Sequence, residues 1–215
     1  MRILYLIKTI ARIIKYYFFG YKRYLNIFLL IIKNKPKKII EIGVYRGTRS
    51  LEMIECAKIF NTEIYYFGFD LFDDFENSIL NKEASKKPLS IKEIERKLGK
   101  HNNINLIKGR TDVTLKSFLK HNKMSFDLIF IDGGHSIQTI ANDWKYSERL
   151  IALYGVIVLD DYYLNNNKII KKYGCNFLLK KFCKRYVFKE SLFCDWAKIN
   201  NNKVKVKMIN VIKKK

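Results

Sequence analysis

The sequence predicts a doubly wound α/β sheet, and three observations predict it. Short apolar runs rich in Ile and Val recur along the chain, as at Phe126–Ile131 and residues 155–159. They are too short for ordinary helices and suit strands covered on both faces of a parallel sheet. Between residues 38 and 184 such runs alternate with segments of helical periodicity, the order that builds right-handed βαβ crossovers. Several runs stop at acid, at Asp70, at Asp132 and at the pair Asp160 and Asp161. Open α/β sheets bind ligands outside the carboxyl ends of their strands, so these acids mark the predicted site.

Residues 3–18 place Ile3, Leu6, Ile7, Ile10, Ile13, Ile14 and Tyr17 at helical spacing, with Lys8, Arg12 and Lys15 opposite. Gly20 punctuates, and residues 21–33 predict a second helix carrying Leu25, Phe28, Leu29 and Ile32. Residues 1–35 are thus a basic amphipathic extension. It either packs on the main domain or on a second subunit of a homo-oligomer, or it meets a membrane surface through residues 1–33. The break NKPKK at 34–38 opens the main domain, residues 36–215.

Residues 38–45 predict a buried strand and 46–58 a helix, with Gly43 and Gly47 in the turn between them. Glycine there lets backbone approach a ligand closely, and the helix start offers free N–H groups. The next strand, 64–69, ends at Asp70, which is placed to accept hydrogen bonds from ribose hydroxyls. Residues 73–100 are long for a crossover and predict an insertion over the strand ends, a lid or acceptor-binding segment, with a helix over 91–100 started by Pro88 and Ser90. Ile104–Lys108 is the third strand. It turns at Gly109 into a helix over 113–121, for which Thr111 or Asp112 can serve as N-cap. A helix over 136–150, with Trp144 as a packing residue, separates the two central strands. One helix over 168–184 and closing strands at 186–193 and 204–211 complete the chain, the last pairing antiparallel.

The net charge of +22 is uneven. Residues 1–40 hold ten Lys or Arg and no acid, and the chain from Trp196 onward holds seven Lys and no acid. The span between them carries 25 basic and 20 acidic residues. A body so nearly balanced argues against nucleic acid as a partner, while the basic ends suit anionic lipid or another polyanion. Four cysteines without metal spacing, and no secretory signal or spanning run, predict a cytoplasmic protein, membrane-associated at the inner face if the extension is an anchor.

Asp132, Asp160 and Asp161 would repel one another unless protons or a cation neutralised them. A hard divalent ion such as Mg2+, held by oxygens, resolves that repulsion. Glu41-Ile-Gly43-x-x-x-Gly47, Asp70, IDGGHS at 131–136 and VIVLDDYY at 156–163 together resemble class I S-adenosylmethionine-dependent methyltransferases. Within that group the chain is similar to the metal-dependent sugar O-methyltransferases of the macrocin and antibiotic-tailoring type, related enzymes of which sit in surface-polysaccharide pathways. The resemblance covers residues 38–212. It implies a seven-stranded, mostly parallel, Rossmann-like methyltransferase sheet and S-adenosylmethionine as cofactor. It also implies that Glu41, Gly43 and Gly47 shape the methionine end, Asp70 holds the ribose, and Asp132, Asp160 and Asp161 bind the metal. Asp132 then borders the cofactor and counts among the catalytic residues as well. Adenine contacts fall near Thr111 and Asp112, although Arg110 stands where relatives often carry an acid. Gly134 stands where some relatives carry an aspartate base, which leaves His135 as the candidate base. At a helix start the positive dipole end keeps that imidazole neutral and able to accept a proton.

The expected activity is methyl transfer to a hydroxyl of a sugar, glycan or related small molecule. The alternative is an RNA-binding protein or RNA methyltransferase that uses the basic termini, and a third reading is a membrane-bound module that has lost catalysis.

Overall fold

The computed structural model describes residues 1–83, 86–99, 101–164, 167–199 and 202–214. Seven strands form one sheet: β1 (Lys38–Ile42), β2 (Tyr65–Asp70), β3 (Ile104–Lys108), β4 (Phe126–Ile131), β5 (Ile151–Leu164), β6 (Tyr186–Ile199) and β7 (Asn202–Lys213). Their order is β3-β2-β1-β4-β5-β7-β6, and β7 runs antiparallel to both of its neighbours while the pairs from β3 to β5 are parallel. Successive connections leave β1 and β4 in opposite directions, so a crevice opens between their carboxyl ends.

The helices are α1 (Arg2–Phe19), α2 (Leu25–Asn34), α3 (Thr48–Ala57), α4 (Asn77–Glu83), α5 (Ile91–Leu98), α6 (Thr111–His121), α7 (Ile137–Leu150), α8 (Asn167–Ile170) and α9 (Asn176–Phe182). Strand side chains alternate between faces, and both faces are covered. Ile39, Phe130 and Val158 pack with α2, α3 and α5, whereas Ile40, Ile129 and Ile157 pack with α6, α7 and α9. Trp144 is the packing residue expected, buried edge-on to Tyr186 at 5.0 Å. Ser90 and Glu93 form a reciprocal capping box, so α5 starts where the sequence signal placed it.

One element differs. The helix expected over 168–184 is broken into α8 and α9 by a turn at Gly174, whose φ is +89°. A Cβ at that position would lie 2.5 Å from the Asp161 carbonyl oxygen, and the Cys175 N–H donates to the same oxygen at 3.1 Å. The chain leaves helical geometry there in order to pass the end of β5. The insertion at 73–100 supplies α4 and α5; its residues 84, 85 and 100 lie outside the described residues. Among the described residues no helix is long and apolar enough to cross a membrane.

Candidate active site

A cavity of about 460 Å³ opens at the carboxyl ends of β1, β2, β4 and β5. Backbone geometry at its floor explains Gly43. Its φ is +96°, and a Cβ there would stand 2.1 Å from the Asp132 carbonyl oxygen, so no side chain fits. The Gly43 N–H donates to Phe69 O, and the Asp132 N–H to Ile42 O, both at 2.8 Å, which ties three strand ends together.

Asp70 lines this cavity as expected. Its Oδ2 accepts from the Tyr45 N–H at 2.7 Å and its Oδ1 from the Leu71 N–H at 2.6 Å. Burial raises its pKa against those hydrogen bonds, which lower it. The backbone N–H groups of Phe72 and Val44 also lower it, so the carboxylate is held by the turns that follow β1 and β2. Thr111 and Asp112 open α6 on the cavity wall, and the guanidinium of Arg110 forks onto Asp112 at 3.1 and 2.8 Å.

Two expected cofactor residues stand elsewhere. Gly47 is the N-cap of α3, in a left-handed conformation, and packs against Ile94 rather than lining the cavity. Glu41 is fully buried under the β1 turn, where the hydroxyls of Ser50 and Tyr66 donate to its Oε2 and its Oε1 has no partner among the described residues. Burial pushes its carboxyl up to about 7 against those hydroxyls. The folded protein thus keeps a proton that an unfolded glutamate releases near about pH 4.3. This contribution is intact below the unfolded pKa and is lost as pH rises through about 7. Glu41→Gln, which mimics the protonated acid, is expected to gain on the order of 2 kcal/mol relative to the wild type between about pH 5 and about pH 8. Urea unfolding of both proteins across that range measures it.

At the end of β5 the register against β7 slips. Leu159 pairs with Ile209 but Tyr162 pairs with Lys207, so Asp160 and Asp161 occupy a bulge, and Asp161 has a φ of +62°. The bulge sends the two carboxylates to different partners. Asp161 Oδ2 lies 3.2 Å from His135 Nε2. Asp160, with no side-chain exposure, is held by Arg23, whose Nε lies 2.9 and 3.1 Å from its two oxygens. The donor group that comes together is therefore Asp132, His135 and Asp161, with one ligand atom of each within 4.8 Å of the others. Asp160, expected as the third metal ligand, has a guanidinium on it instead.

His135 is fixed from its far side. Its Nδ1 lies 2.7 Å from the Glu83 carbonyl oxygen, which can only accept, so Nδ1 carries a proton and Nε2 is the ring atom that faces Asp161. The Glu83 carboxylate in turn accepts from the Ser136 N–H and from the hydroxyls of Ser136 and Thr139, binding the insertion to the start of α7. Burial, with the charges of Asp160 and Asp161 added, holds the Asp132 carboxyl well above the usual carboxylate range. Burial raises Asp161 as well, against the nearby His135, which lowers it.

Sequence reasoning did not single out four further residues of this site. Arg23 and Tyr24, from the N-terminal extension, line the cavity, and the Tyr24 hydroxyl donates to Asp132 Oδ2 at 3.4 Å. Glu83 comes from the insertion. Asp143, on α7, is fully buried on the wall beside Thr111, its pKa pushed up to about 7 by burial, with Oδ2 lacking a partner among the described residues.

Residues 40–162 match a family model described as a methyltransferase domain. No curated relative matches the chain. Among solved structures, the O-methyltransferase TomG from Streptomyces achromogenes, involved in tomaymycin synthesis and solved with S-adenosylmethionine, aligns at 13% identity with a TM-score of 0.61 over 90% of this chain and 80% of its own. The O-methyltransferase from Bacillus cereus, solved with S-adenosylhomocysteine, aligns at 14% identity and 0.61 over 98% and 90%. The N-methyltransferase NodS from Bradyrhizobium japonicum WM9 aligns at 9% and 0.56 over 89% and 95%. At these identities the likeness is one of fold.

Proposed function

The chain belongs to the methyltransferase-domain family, and from that premise we propose that it transfers a methyl group from S-adenosylmethionine to a hydroxyl of a sugar, glycan or related small molecule, with a divalent cation assisting. The observation that carries this reading is the continuity of one cavity, lined at one end by Gly43, Asp70, Thr111 and Asp112 and at the other by Asp132, His135 and Asp161. A nucleoside cofactor fits the first end, where Asp70 takes the ribose hydroxyls, the Gly43 turn admits the methionine backbone, and Thr111, Asp112 and Asp143 border the adenine. Methyl transfer from a sulfonium is an in-line displacement, so acceptor oxygen, methyl carbon and sulfur must be aligned between the two ends.

The second end fits a divalent ion on the chemistry of its donors. Three buried or half-buried carboxylates meet one guanidinium, and the ring nitrogen of His135 that is not tied to Glu83 lies 3.2 Å from Asp161. Asp132, His135 and Asp161 would hold the ion, and an imidazole in the set favours Mn2+ or another transition metal over Mg2+. Such an ion lowers the pKa of a bound hydroxyl and orients it.

A second reading rests on the same ring nitrogen. Without an ion, His135 Nε2 is the chain's own acceptor for the hydroxyl proton, and Asp161 at 3.2 Å stabilises the resulting imidazolium. Chelation separates the two uses. Turnover of the purified enzyme is expected to fall to background in EDTA and to return with Mn2+. Full activity in EDTA, lost on His135→Gln, would assign the proton-accepting role instead.

A further inference from the structure

We propose that α1 seats the protein on a lipid surface rich in anionic headgroups, lying flat with its outward face in the acyl boundary. The helix is inside out relative to the usual surface helix. The face turned to the protein is polar and aromatic: Tyr5, Thr9 and Tyr16 are buried, Lys8 pairs with Glu55 at 2.7 Å, Arg12 pairs with the same carboxylate, and the Tyr16 hydroxyl donates to Glu52 at 3.0 Å. The outward face is apolar. Ile3, Ile7, Ile10 and Ile14 recur at i, i+4, i+7 and i+11, all exposed, and Phe18 continues the stripe at 65% exposure.

This exposure is local. Of 19 exposed large apolar side chains among the described residues, 13 lie in residues 1–33, so the stripe is a patch and not the scattered background of an ordinary surface. Arg2 and Lys15, both exposed, flank it, and Tyr17, Phe18, Phe19 and Tyr21 cluster where the helix ends. Basic flanks, an apolar face and terminal aromatics are the pattern of a helix lying in a membrane interface.

Charge decides between a bilayer and a second copy of the chain. Residues 1–40 hold ten cations and no acid, and with Lys8, Arg12 and Arg23 paired to Glu55 and Asp160, Arg2 and Lys15 are the exposed cations of α1 that flank the stripe. The acids that meet this extension are already engaged: Glu52 and Glu55 by Arg49, Lys8 and Arg12, and Asp160 and Asp195 by Arg23. Two such faces brought together would set cation against cation with nothing between them, whereas anionic headgroups answer the charge and the acyl boundary takes the stripe. The arrangement also bears on the reaction cavity. Arg23 and Tyr24 line it, and Tyr24 follows the last residue of α1 by five positions, a reach of at most roughly 17 Å. A protein seated on α1 holds one wall of that cavity close to the lipid.

Flotation of the full-length protein with vesicles of phosphatidylcholine alone, and of phosphatidylcholine with phosphatidylglycerol, tests this. The wild type is expected to float with the anionic vesicles and far less with the neutral ones. The double variant Ile7→Gln and Ile14→Gln changes exposed side chains only. It is expected to keep the wild-type melting temperature while losing at least tenfold in vesicle partition. No flotation of the wild type with anionic vesicles overturns the proposal, and so does equal flotation of the variant. Size-exclusion chromatography supplies the remaining arm: a wild-type dimer that the double variant dissolves would assign the face to a second copy and overturn it too.

Discussion

Asp132→Asn is expected to abolish turnover and at the same time to raise the unfolding midpoint. Asp132 sits where β4 stops, and its carboxyl is held well above the usual range first by burial and then by the charges of Asp160 and Asp161. At neutral pH its charged form is therefore costly to the fold, and only chemistry in the cavity accounts for keeping an acid there. The amide retains the shape and the contact with the Tyr24 hydroxyl at 3.4 Å but removes one of the two carboxylates in the donor group. Loss of a charge aimed at the reacting centre is expected to cost on the order of a hundredfold or more in kcat. Relief of the repulsion is expected to add about 1 kcal/mol of stability, the trade found at strained sites. Steady-state kinetics and thermal melts on the same preparation check both signs.

The largest loss of stability is expected from Arg23→Met. Arg23 joins the N-terminal extension to the end of β5, a contact 137 residues long in sequence, and it is the cation on the fully buried carboxylate of Asp160. The same guanidinium reaches Asp195 at 3.3 Å and lies 4.5 Å from the centre of the Tyr24 ring. Methionine keeps most of the packing volume and leaves a buried charge without a partner, which costs about 3–5 kcal/mol. If that account is right, the double variant Arg23→Met with Asp160→Asn recovers most of the loss, because the uncompensated charge goes with its carbonyl oxygen left in place. Equal instability of the single and double variants in urea would show that packing, and not charge, fixes Arg23.

The sheet was legible in the sequence because strand runs covered on both faces have little else they can be, and because each stops at a turn or an acid. The acids at 70 and 132 lie in the cavity for a related reason: one ends a parallel strand and the other follows one, at the carboxyl edge where the crevice opens. The division of labour between Asp160 and Asp161 was not legible. Adjacent residues of a regular strand point to opposite faces, and only the one-residue slip against β7 decides which carboxylate meets His135. The break of the helix at Gly174 has the same origin, since it depends on the backbone of Asp161 passing close by. Arg23 and Tyr24 are invisible to local patterns because their partners lie more than 100 residues away. Asp143 did leave a signal. It stands with Ile140, Trp144 and Ser147 on the buried stripe of α7, and a carboxylate on such a stripe needs a reason. For α1 the periodicity was plain, but its apolar face turns outward, which composition and spacing do not reveal.

The central claim is that the strand ends at Gly43 and Asp70 hold a sulfonium nucleoside beside the Asp132, His135 and Asp161 group. Calorimetric titration of the purified protein with S-adenosylhomocysteine tests it most directly. The account predicts saturable binding at one site per chain, weakened at least about tenfold by Asp70→Ala through the lost ribose hydrogen bonds. An absence of heat with the folded wild type, or affinity unchanged in the Asp70 variant, would contradict it.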